Sequence, residues 1–285
     1  MLKNYTISRM SERELDFAIE LAAQEGWNPG LHDAESFYAA DPNGFLVGML
    51  DGEPIASLSA VKYNPSFGFL GLYIVVPAFR GQGYGKQLWN AAIDYLQGCT
   101  IGLDGVVEQQ VNYKKSGFTL AYRNIRYQGF GNDAMKIVTH PSVTTELSAL
   151  PFDEVKRYDR QFFPVERDAF LSRWINQPQA VALGIVNDDR LCAYGVLRPC
   201  REGYKIGPLC ADDRVLADAL FNALCARVPP DAPVFLDIPE PNAAAQALVT
   251  RYNMQKVFET ARMYAGPAPD LPLEKIFGVT TFELG

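Results

Sequence analysis

Three glycines at alternate positions, Gly81, Gly83 and Gly85, stand between an uncharged apolar run and an amphipathic stretch. Backbone amides freed of side chains at such a place can converge on an anion, and the positive end of a following helix adds to the attraction. Groups able to move protons stand nearby. Tyr113 lies four residues before the pair Gly117-Phe118, and Asp104 and Glu108 fall between the glycines and that tyrosine. With Arg80, the helix and the matching elements downstream, the glycines read as an anion cradle rather than a simple turn.

These residues need elements to hold them. Residues 67–76 carry no charge and are rich in Tyr, Ile, Val and Phe, which predicts a buried strand. Residues 86–96 place Leu88, Ala91, Ala92, Tyr95 and Leu96 on one helical face, and residues 100–103 predict a further strand that ends at Asp104. The order strand, glycine loop, helix, strand and acid also occurs in dinucleotide sites. Here the third glycine comes one residue early, and Pro77-Ala78-Phe79-Arg80 separates the strand from the first, so that assignment is the weaker one.

The loop instead resembles the acyl-CoA loop of the GNAT acetyltransferase superfamily, Arg/Gln-x-x-Gly-x-Gly/Ala, with Arg80, Gly83 and Gly85 filling the pattern. Tyr113 with Gly117-Phe118 is similar to the family's second element, and the likeness covers residues 3–130. The resemblance implies an α/β (α+β) fold, a mixed, mostly antiparallel central sheet flanked by helices, with acetyl-CoA as co-substrate. It implies a central strand splayed from its neighbour, with main-chain atoms of Tyr73, Ile74 and Val75 along the pantetheine arm. The amides of Gly81, Gln82, Gly83, Tyr84, Gly85 and Lys86 would surround the pyrophosphate, Arg80 would add a charged contact, and Tyr113 would act as general acid. One departure stands out: family members often carry an Asn seven residues before this tyrosine, where this chain has Val106, with Gln109, Gln110 or Asn112 as substitutes.

Neutralising a lysine-like amine at pH 7 costs about 4.6 kcal/mol, and an α-amino group only about 1 kcal/mol. A base is therefore useful, yet residues 67–76 contain no acid. Asp104 and Glu108 are the nearest candidates, acting through a water. Trp27, His32 and Asp33, with Phe37 and Tyr38, are expected on the acceptor side; the aromatics would serve equally well in a core. The expected activity is acetyl transfer to a primary amine of a small molecule or a peptide N-terminus, the alternative being a non-catalytic acyl-CoA sensor.

Composition narrows the partners. The 285 residues carry a net charge of −7 and no basic stripe, so nucleic acid is not expected. Five cysteines (99, 192, 200, 210, 225) form no Cys-x-x-Cys pair and only His32 and His140 occur, so neither a metal site nor a disulfide framework is expected. Residues 1–13 lack the apolar run of a signal peptide, and no stretch is long and apolar enough for a membrane span. A cytoplasmic protein follows, with a homodimer left open.

The length predicts two domains. The expected division is 1–130 for the acetyl-CoA-binding domain, 131–145 for a linker and 146–285 for a second, GNAT-like domain. Ser11 and Glu14 open a helix to about residue 25, a short helix follows at 34–40, and Asp51-Gly52 joins strands 44–50 and 54–63. A similar series starts after the linker: helices at 150–158 and 166–176, strands at 180–186, 191–199 and 205–209, a helix at 214–228 and a strand at 234–238. Leu103-Asp104 followed by Arg126-Tyr127-x-Gly129 is echoed by Leu236-Asp237 followed by Arg262-Met263-Tyr264-x-Gly266, the mark of an internal duplication. The second copy lacks the glycine loop. Cys210-Ala211-Asp212-Asp213 stands in its place, and Val249 and Asn253 replace the tyrosine and the glycine of the second motif. One catalytic centre is expected, in the first half.

Overall fold

The computed structural model describes residues 4–131 and 143–285; most of the expected linker, residues 132–142, lies outside the described residues. The first half runs β1 (Tyr5–Arg9), α1 (Leu15–Gln24), α2 (Asp33–Ala40), β2 (Phe45–Leu50), β3 (Glu53–Asn64), β4 (Phe67–Val75), α3 (Tyr84–Tyr95), β5 (Thr100–Val106), α4 (Gln110–Lys115) and β6 (Thr119–Phe130). The second runs β7 (Thr144–Glu146), α5 (Phe152–Asp159), α6 (Asp168–Trp174), β8 (Val181–Asn187), β9 (Arg190–Pro199), β10 (Tyr204–Ala211), α7 (Arg214–Cys225), β11 (Pro233–Pro239), α8 (Ala243–Arg251), β12 (Gln255–Ala265) and β13 (Ile276–Gly278). Asp51 and Gly52 both adopt positive φ between Leu50 and Glu53, the two-residue turn that an Asp-Gly pair favours. No helix among the described residues is long and apolar enough to cross a membrane.

All described strands share one mixed sheet, ordered β1-β2-β3-β4-β5-β12-β6-β11-β10-β9-β8-β7, with β13 added to β10. The centre of this order shows that the halves exchange a strand. Each half contributes four neighbouring strands and a fifth, β5 or β11, whose outer neighbour comes from the other half: β12 pairs with β5, and β6 pairs with β11. The two exchanged strands also pair with each other.

The sequence echo acquires a physical meaning here. Arg126 faces Asp237 across β6 and β11, and Arg262 faces Asp104 across β12 and β5. Both pairs are bidentate, at 2.7 and 2.7 Å for Arg126–Asp237 and 2.9 and 2.6 Å for Arg262–Asp104. All four side chains are buried. A buried pair of this kind specifies partners more than it adds stability, but removing one member costs about 3–5 kcal/mol. A third buried pair, Arg198 with Asp33 (2.8 Å), ties β9 to α2, and Arg198 is wholly interior. Apolar packing continues across the same junction. Phe37 of α2 stacks on Trp174 of α6 at 6.1 Å, within a cluster that also holds Leu15, Ile19, Val155 and Tyr194.

Candidate active site

β4 and β5 pair in parallel from Phe67 and Thr100 only as far as Leu70 and Leu103. Beyond that point β4 keeps its partner β3 and β5 keeps β12, so the sheet opens into a wedge between them. β4 bends at the mouth of the wedge through a bulge, because Leu72 and Tyr73 together oppose Leu58 between the pairs Gly71–Ser59 and Ile74–Ser57. Leu72 takes φ +47°, an unfavourable value for a leucine, and Ser57 Oγ holds it there by donating to the Leu72 carbonyl at 2.8 Å. On its other edge, β4 past Leu70 has no ladder partner in β5, which leaves main-chain groups facing the wedge.

The glycine loop closes the far end. Gly81 (φ +74°) and Gly83 (φ +87°) adopt a backbone that side chains resist, and a Cβ at either would point into open space. Gly83 is the residue before α3, whose first amides have no helical acceptor and face outward. Packing fixes the helix: Leu88, Trp89 and Ala92 are buried against the sheet, at about 1.5–3 kcal/mol for a leucine-sized side chain. Gly85 lies under the Tyr73 ring, since a Cβ there would come within 2.8 Å of its hydroxyl. Arg80 is tethered, its Nε donating to the Val75 carbonyl at 2.8 Å and its Nη2 to Glu25, the residue after α1.

Wedge and loop enclose a cavity of about 730 Å³. Its lining includes the cations Arg80, Lys86 and Lys115 as well as Trp27, Phe258, Thr260, Phe282 and Glu283. Tyr113 enters from α4. Its ring covers Gly105 and stacks on Trp89 at 5.7 Å, which in turn meets Tyr73 at 5.4 Å. Burial, with Tyr73 close by, pushes the Tyr113 hydroxyl up to about 12.

Of the residues singled out from sequence, Tyr73, Ile74, Val75, Arg80, Gly81, Gly83, Gly85, Lys86, Asp104, Gln109, Asn112, Tyr113 and Trp27 line this cavity. The others stand elsewhere. Gln82 turns back to the Ala78 carbonyl (3.0 Å), and Tyr84 packs on Tyr5 at 4.8 Å. Glu108 is exposed on the turn before α4, away from the cavity wall. His32 precedes α2, and Asp33 is consumed by Arg198 and the Gly30 amide. Asp104 reaches the cavity, but Arg262 takes both its oxygens and Asn124 donates to one at 2.9 Å. Burial raises its carboxyl above the ordinary value against the pull of Arg262. Asp237, its counterpart, is held below that value despite burial, by Arg126 and the nearby Lys205 and Arg198.

The second half contains the same wedge in closed form. β10 and β11 pair in parallel from Tyr204 and Val234 to Ile206 and Leu236 and then part. β13 occupies the gap, pairing with β10 at Leu209 and Cys210, and the Val279 amide donates to the Asp237 carbonyl at 2.8 Å. The start of α7 is occupied as well: Asp213 accepts from the amides of Val215 (2.8 Å) and Leu216 (2.9 Å). A carboxylate already satisfies what the glycines of the first half leave available.

Sequence reasoning missed the segment after β13. Residues 279–285 are all buried and run from the closed wedge to the open one. A Cβ at Gly207 of β10 would press on the carbonyls of Val279 and Thr280, and one at Gly71 of β4 would clash with that of Glu283. Tyr63 donates to the Leu284 carbonyl at 2.9 Å. Apolar Ile276, Phe277, Phe282 and Leu284 signal burial in the sequence, but nothing there signals which cavity receives Glu283.

Comparison with known proteins agrees with this architecture. Residues 11–118 match a model described as the acetyltransferase (GNAT) family, and residues 155–278 one described as an acetyltransferase (GNAT) domain. Holothin acyltransferase of Pseudoalteromonas sp. (strain SANK 73390) is 32% identical over 283 residues, 99% of this chain and 95% of that protein. A solved structure from Pyrococcus horikoshii, proposed to be an acetyltransferase, has a TM-score of 0.84 at 21% identity, covering 99% of this chain and 96% of its own. A tandem GNAT protein from the clavulanic acid biosynthesis pathway has a TM-score of 0.66 at 12% identity, covering 93% of this chain and 100% of its own. The chain belongs to the GNAT acyltransferases and carries two such domains in tandem.

Proposed function

We propose that the open wedge binds acetyl-CoA and that the protein transfers its acetyl group to a primary amine of a small molecule. The observation that carries this is the parting of β4 from β5 after Leu70 and Leu103, with the glycine-rich start of α3 at the end of the gap. The residues present fit such a ligand. Amides from Gly81 to Lys86 hold the pyrophosphate, and main-chain atoms of Tyr73 to Val75 run along the pantetheine arm, in the open ladder beside the bulge. Tyr113 supplies the proton for the departing sulfur. Its high proton affinity is matched to a thiolate only because both share the same dry pocket. The lining suits both ligands: Lys86 and Lys115 are cations available to an anionic carrier, and Trp27, Phe258 and Phe282 offer apolar surface to an acceptor. Asp104 anchors the exchanged strand through Arg262, and Glu108 is exposed and off the cavity lining.

Holothin, named as the substrate of the 32% identical relative, is the first acceptor to try. Thiol release from acetyl-CoA is measured with holothin, spermidine, amino acids and a short peptide with a free N-terminus. Turnover with holothin or another small amine is expected. Tight CoA binding with no thiol released by any of them would leave an acyl-CoA sensor instead.

A further inference from the structure

We propose that Glu283, carried into the cavity by residues 279–285, is the catalytic residue that accepts the proton of the attacking amine. This rests on the acyl-transfer role proposed for the wedge. Among the described residues, three carboxylates line the cavity, Glu25, Asp104 and Glu283. Glu25 is engaged by Arg80 and Asp104 by Arg262, so each serves an arginine. Glu283 is different. Among the described residues no Lys or Arg lies within ion-pair distance of it; the buried Arg126 and Arg198 feel its charge from farther off, and its direct partner is a neutral group, the Thr281 hydroxyl, which donates to Oε2. The Glu283 amide donates back to Thr281 Oγ1 at 3.2 Å, so the pair Thr281-x-Glu283 fixes the carboxylate from both ends.

Its location suits the task. The Glu283 main chain lies directly against Gly71, the residue before the β4 bulge, where the wedge opens. Its charge is one of the influences that raise the buried Asp104 carboxyl on the neighbouring strand. Thr260 Oγ1, also on the cavity lining, is buried without a hydrogen-bond partner among the described residues and offers a site for the acceptor's polar atom or a bridging water. β4 itself contains no acid, so the segment following the closed wedge supplies what the central strand lacks.

The step balances. As the amine nitrogen bonds to the acyl carbon and the carbon–sulfur bond breaks, a nitrogen proton passes to Glu283 and Tyr113 gives one to sulfur. Glu283 then loses its proton to solvent, from which Tyr113 regains its own.

The test compares wild type with Glu283→Gln and Glu283→Ala, using acetyl-CoA and the best amine of the panel. Glu283→Gln is expected to lower kcat at least about 100-fold while leaving KM for acetyl-CoA and Tm unchanged. Glu283→Ala is expected to recover activity when formate is added as a replacement proton acceptor. Turnover of Glu283→Gln within about threefold of wild type would overturn the proposal. Loss of activity in both variants without any response to formate would also overturn it, reducing Glu283 to a positioning role. Failure of the acyl-transfer role itself looks different: the wild-type protein would release no thiol with any amine.

Discussion

The wedge between β4 and β5 and the wedge between β10 and β11 start alike, each from a short parallel pairing next to an exchanged strand. They diverge in what enters the gap. In the first, two glycines with positive φ leave the amides of α3 uncovered, and about 730 Å³ stays open. In the second, β13 fills the gap and Asp213 caps α7. A repeated scaffold can thus keep its framework of strands and buried ion pairs while one copy's binding function is replaced by a piece of chain. The replacement is not inert, because the same segment goes on to line the cavity of the other copy.

The largest effect should come from what the halves share. Arg126→Met leaves Asp237 buried without its bidentate partner and should cost about 3–5 kcal/mol of stability in urea unfolding. Arg262→Met should do the same to Asp104. Replacing Arg126 and Asp237 together by Met and Leu should regain most of the loss. Single-variant costs below about 1 kcal/mol would mean that the crosswise pairs do not join the halves.

Next comes the chemistry confined to the open wedge. Tyr113→Phe should lower turnover about 100-fold with CoA affinity unchanged. Since burial lifts this hydroxyl to about 12, wild-type activity should show no decline from its ionisation below about pH 11. A basic limb near pH 10 that vanishes in Tyr113→Phe would contradict the buried environment described for it.

The smallest effect belongs to the closed wedge. Asp213→Ala removes the cap of α7 and should cost about 1 kcal/mol without altering CoA binding. A gain of a second CoA site would show that the cap alone, rather than β13, closes that half.

Much of this contrast is legible in the sequence. Glycine spacing, the apolar run before it and Tyr113 locate the open wedge, because backbone freedom and uncharged strands leave local signatures. Asp212 and Asp213 likewise mark in the sequence where the second half lacks the glycine loop. The Asp–Arg echo is equally visible as the mark of a duplication, yet it does not say which Asp meets which Arg. Register and strand order decide that Asp104 belongs to Arg262 and Asp237 to Arg126, and those depend on contacts 158 and 111 residues apart. Glu283 was missed on the same grounds. Its role follows from where residues 279–285 pass, and a base sought near the loop in sequence leads to Asp104, which an arginine already holds.

Calorimetric titration with CoA, of the wild type and of Gly83→Asp, tests the contrast most directly. Aspartate is tolerated at positive φ better than most residues and sets a carboxylate in the cradle, where like charge costs several kcal/mol. One CoA bound per wild-type chain, and none by a folded Gly83→Asp, is the predicted result. Two sites in the wild type, or one that survives the substitution, would contradict it.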